Sequence, residues 1–110
     1  MDNKLPKQDQ KYHFRFDGVQ YDITYKEDDM MESICTAADL NHHPSRINQP
    51  KIFKVNRFEV APNIWCVYWA TSKISMIYIE DWNKMIVNAI LTMPDMTQIR
   101  ETGTITEPGE

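Results

Sequence analysis

Glycine and cysteine are scarce in this chain, with three of the first and two of the second among 110 residues. Three glycines leave no Gly-rich loop to cradle a phosphate. Cys35 and Cys66 stand singly inside apolar, strand-like segments without Cys-x-x-Cys spacing, so neither a disulfide nor a zinc site is expected and both read as buried free thiols. A basic run is also missing. Twelve Lys and Arg against 16 Asp and Glu leave a formal charge of −4, which argues against tracking a phosphate backbone and sets aside a nucleic-acid partner. No stretch approaches the length of an apolar membrane span, and the opening "MDNKLPKQDQK" lacks the apolar core of a signal peptide. No membrane partner is expected, and the expected location is cytoplasmic. No motif requires a cofactor, and none is expected.

What is present is ordinary globular composition, 42% hydrophobic and 25% charged. We expect residues 1–11 to form a polar tail and residues 12–107 a single domain. Period-two alternation recurs along the chain while helical spacing is nearly absent, which predicts an all-β fold. "YHFRF" (12–16) meets "VQYDITYK" (19–26) across Asp17-Gly18, a hairpin signal in which both turn positions are expected at positive φ. Pairing Phe16 with Val19 puts Tyr12, Phe14, Phe16, Val19, Tyr21, Ile23 and Tyr25 on one face, leaving His13, Arg15, Gln20, Asp22 and Thr24 on the wet one. After the charged turn "EDD" (27–29) comes a third strand, "MMESICTAA" (30–38), and then a polar loop, "DLNHHPSRINQP" (39–50). Its adjacent histidines, His42 and His43, have no third ligand at a suitable spacing and read as solvated loop, not metal site. Strands at 51–61, 64–71, 74–81 and 84–93 follow through tight hairpins, and 97–106 completes a count of eight. Eight sequential antiparallel strands fit a small up-and-down barrel, whose closure removes exposed sheet edges and leaves room for one small ligand.

The segments "DGVQYDITYKEDDMMESI", "PNIWCVYWATSKISMIYIED" and "MIVNAILTMP" resemble the MoaF-like group and its relatives, the phenolic acid decarboxylases. The likeness runs in order over residues 12–105, with Asn63 to Trp69 matching the hallmark strand and Pro94 the end of a later apolar one. It implies a lipocalin-like (calycin) barrel with a cavity, and a homodimer packed through barrel walls. The decarboxylases hold the substrate carboxylate with two tyrosines before the first hairpin; here Tyr12 and Phe14, or His13 and Arg15, occupy those places. Their acidic residue would fall at Ala70 or Thr71, and their loop arginine at Arg46. Decarboxylation is thus not what the residues favour, and no catalytic residue is assigned.

The stretch "NIWCVYWATSKISMIYIED" (63–81) has apolar residues on both faces of both its strands. Trp65, Val67 and Trp69 alternate with Ile64, Cys66 and Tyr68, and Ile74, Met76 and Tyr78 with Ser75, Ile77 and Ile79. A barrel strand requires only one apolar face, so the outer one is expected to be covered, by a second copy at Ile77 and Ile79 or by the first eleven residues or the long loop. Tyr12, Phe14, Tyr21, Tyr25, Trp65 and Trp69, with Arg46 from the loop, are the candidate ligand-binding residues; plain core filling is the competing reading of the rings. Trp82, in the hairpin after "ISMIYIED", is expected at the surface. Three functions stay open: a binding barrel for a small apolar or aromatic molecule; an enzyme acting on a small aromatic acid in the barrel mouth; and an interaction module using the apolar wall. A buried charged residue in the cavity would favour the enzyme, and none is evident from the sequence.

Overall fold

The computed structural model describes residues 5–39 and 47–107, and apart from a 3-10 turn at Glu27–Asp29 its regular structure is all β. Nine strands follow in order: β1 Lys11–Phe16, β2 Val19–Lys26, β3 Met30–Ala38, β4 Pro50–Lys54, β5 Asn56–Ala61, β6 Ile64–Ala70, β7 Ser75–Asp81, β8 Ile86–Thr92 and β9 Gln98–Thr106. They form one antiparallel sheet in the order β4-β3-β2-β1-β9-β8-β7-β6-β5. The two edge strands, β4 and β5, are neighbours in the chain, separated by Val55 alone. The sheet must therefore curl until its edges reach one residue, and the result is a nearly closed antiparallel barrel.

The all-β, antiparallel, sequential architecture is the expected one, with one strand more. The expected single strand at 51–61 is divided at Val55, whose N–H donates to the Asp29 carbonyl beside β3, while Asn56 is already paired with Tyr68 of β6. Between two consecutive residues the chain passes from one edge of the sheet to the other. Local sequence does not mark the break, because alternation continues through it; closure of the barrel requires it.

The first hairpin pairs Phe16 with Val19, the register expected from the alternation. Only Gly18 takes a positive φ, 83°, and Asp17 does not, so the turn needs one left-handed residue where two were expected. Tyr12, Phe14, Phe16, Val19, Ile23 and Tyr25 are buried, and Tyr21 is half-buried and packs against them. Across the outer face His13 bridges Asp22 and Gln20 at 2.9 and 2.8 Å. Thr24, placed on the wet face by its phase, is nevertheless buried. In β6 and β7, Val67, Trp69, Tyr78 and Glu80 are buried and Trp65 and Met76 pack against the core, while Tyr68 is exposed and faces Ile77 across the ladder. Among the described residues, no helix is long and apolar enough to cross a membrane.

Candidate functional site

β2 and β7 finish, and β6 starts, at one end of the barrel. Inward alternation brings Tyr25, Glu80 and Trp65 together there, with Trp65 and Glu80 direct partners in the β6–β7 ladder. From β5, Arg57 shares the inward face with its ladder partner Val67. Its guanidinium carbon lies 4.3 Å from the centre of the Tyr25 ring and 4.7 Å from that of Trp65. A cation over two rings is attracted by both ring quadrupoles, which restrains a side chain that otherwise has many rotamers.

Trp82 is turned into the same end, contrary to the expectation of an exposed hairpin residue; it is 2% exposed. The cause is tertiary. Asp81 Oδ1 accepts from the backbone N–H groups of Asn83 and Lys84, which folds the turn sharply. The Trp82 N–H then donates to the Asn63 carbonyl in the neighbouring hairpin. Its indole packs edge-on to Tyr12 at 4.7 Å between centroids, and its Nε1–H donates to Glu80 Oε1 at 3.0 Å.

Glu80 is fully buried. Tyr25 Oη donates to Oε2 and Trp82 Nε1 to Oε1, so each carboxyl oxygen has a donor. Burial pushes its pKa up to about 7, against the two hydrogen bonds and the positive charge of Arg57, which act to lower it. Burial likewise, followed by the neighbouring Glu80, holds the Tyr25 hydroxyl well above its ordinary range. Arg57 Nε is buried and has no hydrogen-bond partner among the described residues.

The segment from Leu5 to Gln10 covers this end. Leu5 packs against the core and its carbonyl accepts from Trp65 Nε1 at 3.1 Å, the Lys7 N–H donates to Tyr12 Oη at 2.9 Å, and the Asp9 N–H donates to the Tyr25 carbonyl. The polar ends of Tyr12 and Trp65 are thus met by main chain.

Of the residues singled out from the sequence, Tyr12, Tyr25 and Trp65 meet at this end. Phe14 lies deeper, against Trp82 and Tyr78. Trp69 stands apart, 5.0 Å from Tyr78 and 5.8 Å from Phe53, and Tyr21 packs edge-on to Phe16. Ile77 and Ile79 are half-buried on the outer wall. Arg46, His42 and His43 lie outside the described residues. Sequence reasoning missed Glu80, Arg57 and Trp82. The first two were within reach, because Met76, Tyr78 and Glu80 continue one alternation and Phe53, Val55 and Arg57 another. An open groove on the outer wall, between Arg15, Gln20, Ile86, Thr102 and Thr104, shares no residue with this cluster. Among the described residues, no group of three or more His, Cys, Asp or Glu is placed to hold a metal ion.

The fold is shared with a crystal structure from Burkholderia vietnamiensis that carries the provisional name of a beta-lactamase: TM-score 0.77, 16% identity, covering 96% of this chain and 99% of that one. Identity this low shows the fold alone. Among curated proteins none matches the chain. The MoaF-like family model matches residues 8–106, nearly the whole barrel together with the segment that leads into it, and the chain belongs to the MoaF-like family.

Proposed function

We propose that this protein is a lipocalin-like binding barrel for a small, largely apolar or aromatic molecule, held at the end where Tyr12, Tyr25 and Trp65 meet. The observation that carries the reading is the fully buried carboxyl of Glu80, with the half-buried Arg57 guanidinium over those rings. A core that served stability alone would do as well or better with an apolar residue of the same volume in place of Glu80, so a carboxyl kept inside marks a site. The ligand enters by lifting residues Leu5–Gln10, whose main chain now occupies the polar ends of Trp65 and Tyr12. Titration with the neutral fluorophore N-phenyl-1-naphthylamine, with tryptophan emission and the melting temperature followed together, tests this. Saturable quenching and a melt raised by mass action are expected. Trp65→Ala is to weaken binding, with exposed Tyr68→Ala as the control. No shift with any member of an aromatic and lipid panel would leave the rings as core filling.

A specific observation also favours the enzyme reading. Glu80 is the buried charged residue that it requires, and a carboxyl with a pKa of about 7 is matched to general acid–base work at neutral pH. Turnover of a small aromatic acid that is lost in Glu80→Gln, with binding retained, would support it. For the outer wall we propose a second copy of the chain as the cover. The contact is placed at Ile77 and Ile79, where exposed Tyr68 faces Ile77 across the β6–β7 ladder and packs edge-on to exposed Phe58.

A further inference from the structure

The strap Leu5–Gln10 is tied to the barrel end by main-chain groups at alternate residues. The Leu5 carbonyl accepts from Trp65 Nε1 at 3.1 Å, the Lys7 N–H donates to Tyr12 Oη at 2.9 Å, and the Asp9 N–H donates to the Tyr25 carbonyl at 2.8 Å. Its own turn closes through a long bond, from the Gln10 N–H to the Lys7 carbonyl at 3.4 Å. Leu5 packs against the core, while Lys7, Gln8 and Asp9 are exposed. A segment held by a few hydrogen bonds and little apolar area opens more readily than the sheet beneath it.

Each residue that the strap grips also encloses Glu80. Trp65 is the partner of Glu80 in the β6–β7 ladder, and Tyr25 Oη donates to Glu80 Oε2. Tyr12 packs edge-on against Trp82, whose Nε1–H donates to Glu80 Oε1. The same three residues thus hold the strap down and keep a fully buried carboxyl from water.

We infer that Leu5–Gln10 is a latch set by the charge of Glu80: it stays closed over the protonated carboxyl and lifts when that carboxyl gives its proton to solvent, because an open end admits the water that a carboxylate requires. The latch acts without any ligand, so it goes beyond the binding reading and does not rest on it.

The sign of the pH dependence follows from linkage. Under the closed strap Glu80 titrates at about 7, and water at its oxygens moves that value back toward 4.5. The open form therefore holds fewer protons than the closed one. Its share rises with pH, by up to about tenfold per unit below 7, and levels off above 7. Tyr25 from β2, Arg57 from β5 and Trp82 from the β7–β8 hairpin face the carboxyl, and Tyr78 on β7 and Cys66 on β6 feel its charge. Tyr12 on β1, with Glu107 near it, stands behind Trp82. Burial holds Tyr25 and Tyr78 well above 10, Tyr12 above 10 and Cys66 above 9. Glu80→Gln keeps every one of these groups, and Lys7 and Asp9 on the strap, so the difference between wild type and variant isolates Glu80.

Proton exchange at the Lys7 and Asp9 amides and the Trp65 indole N–H tests the latch. It is followed by NMR on the full chain from pH 5 to pH 8, with each rate divided by the intrinsic rate at that pH. Protection is expected to fall at least tenfold at all three groups together between pH 5 and pH 7, then to level off. Glu80→Gln, which fixes the neutral state, should stay protected throughout. Protection that is independent of pH in the wild type, or that falls equally in Glu80→Gln, overturns the inference. Trp65→Phe supplies a second measurement, since it removes the donor to the Leu5 carbonyl and should loosen the strap at every pH. The Glu80 carboxyl carbon should then titrate at lower pH than in the wild type, and a loosened strap with an unshifted titration overturns the coupling. Either failure leaves the binding reading to its own fluorophore titration.

Discussion

The hydroxyl of Tyr25 donates to the carboxyl of Glu80, a residue 55 positions further along the chain, and both side chains are sealed from solvent. One is set by the end of β2 and the other by the end of β7, so the contact exists only because the sheet curls on itself. It joins opposite walls of the barrel and places a buried acid, its pKa pushed up to about 7, against a phenol.

Stability is expected to depend on pH through this contact. Glu80 has a folded pKa of about 7 against an ordinary value of 4.5, so between those limits the folded state holds a proton that the unfolded chain has lost. Stability therefore falls as pH rises through that window and levels off above it, by about 3 kcal/mol for a fully realised shift of this size. Urea midpoints of the wild type and Glu80→Gln from pH 4.5 to 8 isolate the contribution, because other groups cancel in the difference. Parallel curves would show that Glu80 is not buried in this way. Tyr25→Phe removes a donor that lowers the Glu80 pKa, so the fall should extend to higher pH in that variant.

Gly103 is expected to be intolerant of any side chain. A Cβ there would stand 2.6 Å from the Arg15 carbonyl oxygen and 2.7 Å from Phe16 Cδ1, and the carbonyl is main chain and cannot swing aside. Gly103→Ala should cost about 1–3 kcal/mol by prising β1 from β9, read as a lower melting temperature. Thr104→Ala, at an exposed neighbour, serves as the control and should stay close to wild type.

The proposed pairing of two copies through the outer wall makes a separate demand. Replacing Ile77 and Ile79 with glutamate should convert a dimer to a monomer, since an isologous contact would bury like charges against each other. Size-exclusion chromatography with light scattering measures it. A wild-type chain that is already monomeric at micromolar concentration would remove the proposal.

Alternation along the chain determined much of this architecture by itself. Side chains on a strand point to opposite faces in strict turn, so the Phe16–Val19 register and the burial of Tyr12, Phe14, Ile23, Tyr25, Val67 and Trp69 are legible from spacing alone. The tertiary structure decided what spacing cannot express. Barrel closure divides the 51–61 strand at Val55, because one uninterrupted strand cannot serve as both edges of the same sheet. Contacts between two hairpins turn Trp82 inward from a position that local sequence marks as a surface turn. Arg57 and Glu80 lie on the inward phase of their strands, yet charge by itself assigns such residues to water. Only partners brought from elsewhere in the fold hold them there: the Tyr25 and Trp65 rings meet the half-buried Arg57, and the Tyr25 and Trp82 donors offset the desolvation of buried Glu80.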